Sequence, residues 1–515
     1  MLKNKNSQTT INLISSIMTL IITTLIGFFL SPFIVKNLGE EANGFTQLAN
    51  NFITYASLLT LALNSMAGRF ITVSYYQGDK KTCEKYYSSI IIGNAIIILV
   101  LIIPAILCVC NLENIIDTSG VNANHVKLLF SFVFASFFVS QATGIFNIAC
   151  FVKNSVYIQN VVQMFHSMLR AIMLIFIFSI FSAKIYFVSF VGLALAIVNL
   201  LVAFVIKKKI LSDISFNVKA FDIKTIIKLI SSGIWNTINQ GGAILMTGLD
   251  LLIANLLIGS GPMGVLAVAK TIPTMITQLC TSINTSFSPN QTISYSANNN
   301  EDFINTLNNS SKISCAIVSV TLMVFCVFSF DFYRLWQPTL DAGMLSNLSV
   351  LTLMMYMPVC GTQALYNVFT ATNKLKLNSI TFLIMGVLSS ITTIVVVKYT
   401  NLGVLAVAGI SSVFSILRSL VFTIPYTSKL VNKKWFYYYK DVVVSLLSCG
   451  IVGLISFFIK FLISPNGWIE LIVACGVSAI SSLIINIFIV MNKQQRKTFL
   501  TKLFGKMRGE NEKQR

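Results

Sequence analysis

The sequence predicts an all-α polytopic membrane protein, on the grounds of its composition, the length of its apolar runs and the placement of its charges. The 515 residues are 55% hydrophobic and only 10% charged, with a mean hydropathy of +0.79. A soluble protein has about 25% charged residues, so this chain cannot cover a water-facing surface. Its apolar runs are much longer than a membrane β-strand and do not alternate, which indicates helices.

We predict fourteen spans, because fourteen stretches approach the ~20 apolar residues that cross a bilayer as a helix. They cover residues 11–35, 44–73, 87–109, 126–148, 156–182, 185–206, 227–258, 262–290, 311–331, 346–372, 377–397, 401–427, 440–461 and 467–491. The first run is too long for the core of a signal peptide. The polar, Asn-rich stretch 296–312 is expected to form a surface helix.

The basic residues predict the topology. The formal net charge is +20, and with an inside N-terminus 27 of the 37 Lys and Arg fall on the inner side, six on the outer side and four within spans. This bias predicts that both termini are cytoplasmic. The inner basic loops are then topology determinants and lipid-headgroup contacts, and nucleic-acid binding is the less favoured interpretation. The ten Cys have no metal-site spacing.

An internal repeat predicts two lobes. When the chain is shifted along itself without gaps, LNSMAGRFITVSY at 63–75 falls on INTSFSPNQTISY at 283–295, which matches Asn64 with Asn284 and Tyr75 with Tyr295. Six spans separate the copies, so both have one orientation, and we predict two six-helix lobes related by a pseudo-two-fold axis along the membrane normal. The predicted segments are an N-lobe at 1–222, a C-lobe at 223–430, two further helices at 431–492 and a basic cytoplasmic tail at 493–515.

Span seven carries a polar face. Asn236, Gln240, Thr247 and Asp250 lie on one side of the helix, and Asn239 lies beside them. Small residues alone would favour helix packing, whereas amides together with a carboxylate favour a wet cavity.

Span five carries a second polar stripe. Gln159, Gln163, His166 and Arg170 share one face. Arg170 lies about fifteen residues from the cytoplasmic edge, or ~22 Å deep. At that depth it is expected to face the bundle interior, where it pairs with a carboxylate or contacts a ligand.

The remaining charges leave alternatives open. Asp250 and Lys270 lie at similar depth on either side of a turn at 259–262, and they either neutralise each other or have separate roles. Arg69 and Arg418 lie nearer the inner edge, where they either snorkel or line an entry. Four intramembrane cations against one anion favour an anionic ligand such as a phosphate or diphosphate group, and disfavour cationic drugs.

Together these features resemble the polysaccharide-transporter branch of the multidrug/oligosaccharidyl-lipid/polysaccharide exporter superfamily. The resemblance is carried by KNLGEEANGFTQLANNFITYASLLTLALNSMAGRFITVSYYQGD at 36–79 and by DLLIANLLIGSGPMGVLAVAKTIPTMI at 250–276. It implies a flippase that moves an undecaprenyl-diphosphate-linked oligosaccharide repeat unit across the bacterial cytoplasmic membrane by alternating access, for cell-surface polysaccharide biosynthesis.

The resemblance also implies roles for the intramembrane polar residues. Arg170 and Lys270 would hold the diphosphate, and Arg69 and Arg418 would lie near the inner entry. Asn236, Asn239 and Gln240 would meet sugar hydroxyls or water. Asp250 is the candidate for coupling to H⁺ or Na⁺, with no other cofactor. We expect a monomer that contacts membrane lipids and works with a polysaccharide polymerase and glycosyltransferases.

Two other classes compete with this interpretation. The first is a transporter of the same fold for the lipid-linked peptidoglycan precursor, or a cation-coupled drug antiporter. The second is an enzyme such as a membrane glycosyltransferase or polymerase, which would need a sizeable loop with catalytic side chains. The sequence has no such loop and no ATP-binding loop, so we predict a transporter.

Overall fold

The computed structural model describes residues 2–296, 300–491 and 496, which are almost entirely helical. The α-helices, numbered in chain order, are α1 Leu2–Leu38, α2 Glu40–Asn64, α3 Ala67–Tyr76, α4 Lys80–Cys110, α5 Leu112–Ile115, α6 Ala123–Val152, α7 Val156–Ile180, α8 Tyr186–Ile210, α9 Ile223–Ala243, α10 Asp250–Leu257, α11 Ser260–Thr285, α12 Ser288–Ser296, α13 Asn300–Trp336, α14 Ala342–Leu353, α15 Asn367–Ala371, α16 Leu375–Tyr399, α17 Val404–Arg418, α18 Ile424–Leu430, α19 Tyr439–Ile463 and α20 Trp468–Val490. Thirteen helices of this part of the chain are long and apolar enough to cross a membrane, and a bent pair adds a fourteenth. The predicted all-α polytopic membrane fold is confirmed.

Several predicted spans are broken helices. Span two is interrupted between α2 and α3. Span seven has a π-helical turn at Ile244–Gly248 and bends by 42° before α10. Span ten continues from α14 into two 3₁₀ turns at Met354–Val359 and Thr362–Tyr366. Hydropathy depends on side chains alone, so it does not predict where the backbone hydrogen bonding of a helix changes.

The predicted surface helix at 296–312 is wrong, because residues 300–312 are the first turns of α13. Their polar side chains have partners inside the protein. The Ser311 hydroxyl donates to the carbonyl of Gly361 at 2.6 Å, and the Asn308 amide donates to the Tyr437 hydroxyl at 3.3 Å. These bonds let the helix continue beyond its apolar part. The predicted tail at 493–515 lies outside the described residues, apart from Arg496.

Contacts divide the chain into two compact units. The first comprises Met1–Val268 with Val397–Val404, and the second Ala269–Val396 with Leu405–Arg515. This division follows contact density, a different criterion from span order, so the lobes at 1–222 and 223–430 stay a prediction.

Each unit has its own apolar core. In the first unit the core includes the fully buried Leu63, Ile90 and Leu229. In the second unit it includes Phe328 and Val452. Many large apolar side chains elsewhere are exposed, which is the expected state of a lipid-facing surface.

The repeat extends well beyond the segments that carry the sequence match. The offset that separates Asn64 from Asn284 also separates the first residues of α2 and α4 from those of α11 and α13. Helices α7 and α16 are equal in length. The offset between them is one position shorter than the offset between Asn64 and Asn284. Matched turns also share left-handed backbone conformations. The angle φ is 85° at Gly39 and 125° at Gly259, and it is 53° at Asn154 and 54° at Asn373. Glycine and asparagine are the residues that adopt positive φ most easily.

A matched hydrogen bond joins equivalent helices in each unit. In the first unit the side-chain amides of Asn64 and Asn94 pair at 2.8 and 2.9 Å. In the second unit the Ser314 hydroxyl donates to the Asn284 Oδ1 at 2.8 Å. Asn284 occupies the repeat position of Asn64, and Ser314 occupies that of Asn94. The Asn64–Asn284 match therefore corresponds to a polar contact that is present in both units.

The starts of α2 and α11 pack around a local two-fold relation within the first unit. A Cβ atom on Gly44 would lie 2.9 Å from the Cα of Gly264, its own repeat mate. The Gln47 side-chain amide donates to the carbonyl of Ala267, also its mate, at 3.1 Å. Contact between a position and its own equivalent is the mark of a two-fold relation.

The two C-terminal helices pack on α13 through small polar side chains. The Ser448 hydroxyl donates to the Oδ1 of Asn486 at 2.6 Å, and the Asn486 amide donates to the Ser319 hydroxyl at 2.7 Å. All three residues are buried. Such contacts are typical of helix association in a membrane, where burial of apolar surface alone contributes little to the association of helices.

Candidate functional site

The bend in span seven creates the first candidate site, in the first unit. A π-helical turn shifts the hydrogen-bond register and frees a backbone carbonyl. The carbonyl of Gly248 accepts from the Tyr55 hydroxyl at 2.7 Å and from the Asn51 side-chain amide at 3.3 Å. Side chains of α2 thus stabilise the break. Tyr55 and Asn51 are site residues that sequence reasoning missed, because nothing in span two alone marks its partner.

Asp250 is the first residue of the helix after the break, and it is only 4% exposed. Of the polar face predicted for span seven, the amides lie before the break, on α9, whereas Thr247 lies in the π-helical turn and Asp250 after it. Asn236 and Asn239 are half-buried there, and Gln240 is exposed. The structure therefore places a buried carboxylate and an amide face on the two arms of one bent span. Broken spans of this kind carry substrate and ion sites in transporters.

Lys270 is half-buried on α11, and its carbonyl accepts from the Thr274 hydroxyl at 2.7 Å. Lys270 belongs to the second unit, whereas Asp250 belongs to the first. Their pairing stays a prediction.

Arg170 lies on α7 in the first unit and is half-buried. Its Nε atom is inaccessible to solvent and has no hydrogen-bond partner in the described part of the chain. No carboxylate of that part forms an ion pair with the guanidinium group. Of the two roles predicted for Arg170, carboxylate pairing within the described chain is therefore not observed, and contact with a ligand stays a prediction.

Arg418 occupies a closed polar and aromatic setting in the second unit and is 5% exposed. Its Nη2 donates to the Oδ1 of Asn378 at 2.6 Å, and its Nη1 donates to the Tyr366 hydroxyl at 3.3 Å. The guanidinium carbon lies 3.9 Å from the ring centroid of Phe382. This burial excludes snorkelling, one of the two roles considered for Arg418.

The Arg418 environment contains neutral acceptors and aromatic rings, and no described carboxylate is paired with the guanidinium. Two of the five N–H donors of the group are engaged, and Nε is buried without a partner among the described residues. A π-helical turn at Ser419–Thr423 follows directly. In each unit a π-helical turn thus lies beside a buried charged residue, Asp250 in the first and Arg418 in the second.

Arg69 is exposed on α3, as expected for a residue at the inner edge. Neighbouring basic residues of the first unit are held by tyrosines: Lys153 donates to the Tyr75 hydroxyl, and Lys228 donates to the Tyr86 hydroxyl at 3.2 Å. Arg69, Arg170 and the amides of α9 lie in the first unit, and Lys270 and Arg418 lie in the second. How they act on one ligand stays a prediction.

Comparison with solved structures identifies the fold. A lipid II flippase, MurJ, in an inward closed conformation matches with a TM-score of 0.64 and 16% identity, over 92% of this chain and 98% of that one. An inward-facing multidrug resistance MATE family transporter of the MOP superfamily also matches with a TM-score of 0.64 and 14% identity, over 82% of this chain and 98% of that one. A third match is a MOP superfamily transporter from Pyrococcus furiosus that is described as having reversed polarity in its binding pocket. Its TM-score is 0.57 with 13% identity, over 84% of this chain and 94% of that one.

Sequence comparison extends over nearly the whole chain. The uncharacterized membrane protein EpsK of Bacillus subtilis (strain 168) is 24% identical over 505 residues, which is 97% of this chain and 99% of that protein. These matches confirm the predicted resemblance at the level of the fold.

The family model described as "Polysaccharide biosynthesis protein" matches residues 10–291, which is more than half of the 515 residues. The chain is therefore a multi-pass membrane protein that belongs to the polysaccharide biosynthesis protein family.

Proposed function

We propose that the protein is a flippase for an undecaprenyl-diphosphate-linked oligosaccharide repeat unit. It would act in the bacterial cytoplasmic membrane, with both termini cytoplasmic and as a monomer, and supply a polysaccharide polymerase with substrate made by glycosyltransferases. The observation that carries this proposal is the presence of two arginines, Arg170 and Arg418, that have no carboxylate partner among the described residues. A buried cation without a counter-charge is costly in a membrane, and an anionic ligand offsets that cost.

The diphosphate group suits these cations. Guanidinium groups donate in a planar fork that matches phosphate oxygens, and a lysine adds a mobile point charge. We assign Arg170 and Lys270 to the diphosphate, and Arg69 and Arg418 to its path from the inner side. Asn236, Asn239 and Gln240 contact sugar hydroxyls or water.

We assign Asp250 to ion coupling, with H⁺ or Na⁺ as the ion. Asp250 is buried directly after a helix break. At such a break, carbonyl oxygens released from the helix can join a carboxylate in holding a cation. A gradient-driven mechanism also agrees with the lack of an ATP-binding loop in the sequence.

Two alternatives have the same fold, namely a flippase for the lipid-linked peptidoglycan precursor and a cation-coupled drug antiporter. The likeness to MurJ supports the fold of the first alternative. A drug antiporter would need acidic cavity residues, and the only carboxylate in the predicted site is Asp250.

Surface-polysaccharide export in the native host tests the proposal. Cells that produce Arg170→Ala or Lys270→Ala protein should export about one hundredth of the normal polysaccharide, since each change removes a charge-assisted contact at the upper end of the range of roughly 1.5–3 kcal/mol. The control is Arg334→Ala, because Arg334 lies at the end of α13 and donates to the carbonyl of Pro465. Normal export with Arg170→Ala and with Lys270→Ala would contradict the proposal. Loss of peptidoglycan precursor transport or of drug resistance, with export intact, would favour an alternative.

A further inference from the structure

The repeat gives the Arg418 site a counterpart in the first unit. Helix α16 is the repeat equivalent of α7, and the αL turns at Asn154 and Asn373 are separated by the same offset as these two helices. With this offset, the residues around the Arg418 guanidinium have equivalents on α6, α7 and α8. Tyr366 corresponds to Asn147, Asn378 to Gln159 and Phe382 to Gln163. The same offset matches Arg418 with Asn199; the first residues of α8 and α17 differ by one position less, so this match rests on the shared surroundings of the two side chains.

These four equivalents line one cavity, of about 230 Å³, in the first unit. The cavity is also lined by Asn160, Val162, Ala203 and Ile206. Three of the four exchanges replace a bulky side chain by a smaller amide, which explains the space. The second unit fills the equivalent position with a guanidinium group and two aromatic rings, and the first unit leaves it open.

The walls of this amide cavity offer unused hydrogen-bonding groups. Gln159 donates to the carbonyl of Asn147 at 2.5 Å, and Asn160 donates to the hydroxyls of Ser15 and Ser16 at 2.8 Å each. The side chains of Gln163 and Asn199 have no hydrogen bond to any residue that the structure describes, and neither does the side-chain amide of Asn147. Polar groups in such a cavity are stabilised by water or by a ligand.

The residues that line the cavity indicate which class of ligand it binds. It contains no charged side chain, so neither a cation nor an anion finds a counter-charge. Each amide both donates and accepts, as each sugar hydroxyl does. The volume holds several waters, and it is smaller than the ~300–1,000 Å³ of drug-sized pockets.

We propose that the amide cavity binds one uncharged sugar ring of the transported oligosaccharide. The proposal rests on the function proposed above, because it names the part of that substrate that the first unit recognises. The equivalent position in the second unit is closed by Arg418, so only one of the two repeats carries the sugar site.

Binding of free sugars to the full-length chain in nanodiscs tests the proposal by saturation-transfer difference NMR. The probes are glucose, galactose, mannose and N-acetylglucosamine, each without lipid or diphosphate. We expect a signal from at least one of them. Asn199→Arg, which installs the residue of the repeat mate, and Gln163→Leu should each weaken it about tenfold, as expected when a polar contact to a hydroxyl is lost. The control is Asn37→Leu, because Asn37 is an exposed amide that bonds only its own helix at the carbonyl of Phe33.

Size-exclusion profiles and unfolding temperatures should show that the variants are folded. An unchanged signal in folded Asn199→Arg protein, or no signal from any of the four sugars with folded wild-type protein, would overturn the proposal. Translocation of the lipid-linked oligosaccharide is measured with the same preparation of wild-type protein reconstituted into sealed vesicles. Translocation without sugar binding contradicts the cavity alone, whereas sugar binding without translocation contradicts the proposed function alone.

Discussion

At the scale of the residue, a substitution of Arg418 can distinguish a role in transport from a role in stabilising the fold. Removal of one member of a buried ion pair is destabilising because it leaves the other charge uncompensated, but Arg418 is not paired with a described carboxylate, and its hydrogen-bond partners are neutral. Arg418→Met should therefore leave the unfolding temperature nearly unchanged while translocation falls about tenfold or more, since a phosphate contact is lost. Arg334→Met at the end of α13 is the control. If Arg418→Met unfolds the protein at lower temperature but leaves the translocation rate per folded molecule unchanged, Arg418 stabilises the fold and does not contact substrate.

Asp222 gives a pH-dependent prediction outside the membrane spans. It caps α9 by accepting from the backbone amides of Lys224 and Thr225, and it forms an ion pair with Lys85 at 2.8 Å. The hydrogen bond from Lys85 is the largest cause that lowers the pKa of Asp222, from the ordinary value of 3.8 to about 2. A carboxyl whose pKa is depressed in the folded state stabilises that state above the unfolded pKa and loses the effect as pH falls.

Amide hydrogen exchange in the first turn of α9 should therefore accelerate between about pH 4 and pH 2. The Asp222→Asn variant should lack this acceleration, because its side chain does not titrate. Exchange after correction for intrinsic rates is the measurement. An equal pH dependence in both proteins would show that the Lys85 contact does not control the start of α9.

At the scale of the element, the matched glycines set how closely α2 and α11 approach. A Cβ atom on Gly264 would lie 2.7 Å from the carbonyl carbon of Glu40, and backbone cannot move aside cheaply. Gly264→Ala should therefore destabilise the protein by about 1–3 kcal/mol. Gly450→Ala is the control, since a Cβ built there has no heavy atom of the described residues within 4 Å apart from its chain neighbours and the adjacent backbone of its own helix. Thermal unfolding in detergent measures both, and equal midpoints would contradict the close contact.

The helix breaks show where prediction from sequence stops at this scale. Hydropathy predicts where spans lie because it depends on side chains alone. The π-helical turn at Ile244–Gly248 depends on Tyr55 and Asn51, which lie far away in the sequence and are not indicated by the local pattern. The setting of Arg418 was missed for the same reason, since Tyr366 and Asn378 lie outside its own helix.

At the scale of the whole molecule, the repeat was the most informative sequence feature. The Asn64–Asn284 match marks a hydrogen bond that both units contain. The sequence comparison of the two copies missed the pairing of the Arg418 site with the amide cavity, because the residues at these positions differ and the pairing depends on helix positions and side-chain surroundings in the structure. The two copies differ in sequence at the positions to which we assign different roles.

Reconstituted transport tests whether intramembrane cations carry a lipid diphosphate across the bilayer. Purified protein is placed in vesicles with a fluorescent undecaprenyl-diphosphate oligosaccharide, and transfer between leaflets is followed with a membrane-impermeant quencher. We expect rapid transfer by wild-type protein. With Arg170→Ala or Lys270→Ala the rate should fall about a hundredfold, equivalent to roughly 2.7 kcal/mol. Wild-type rates in both folded variants would contradict this expectation.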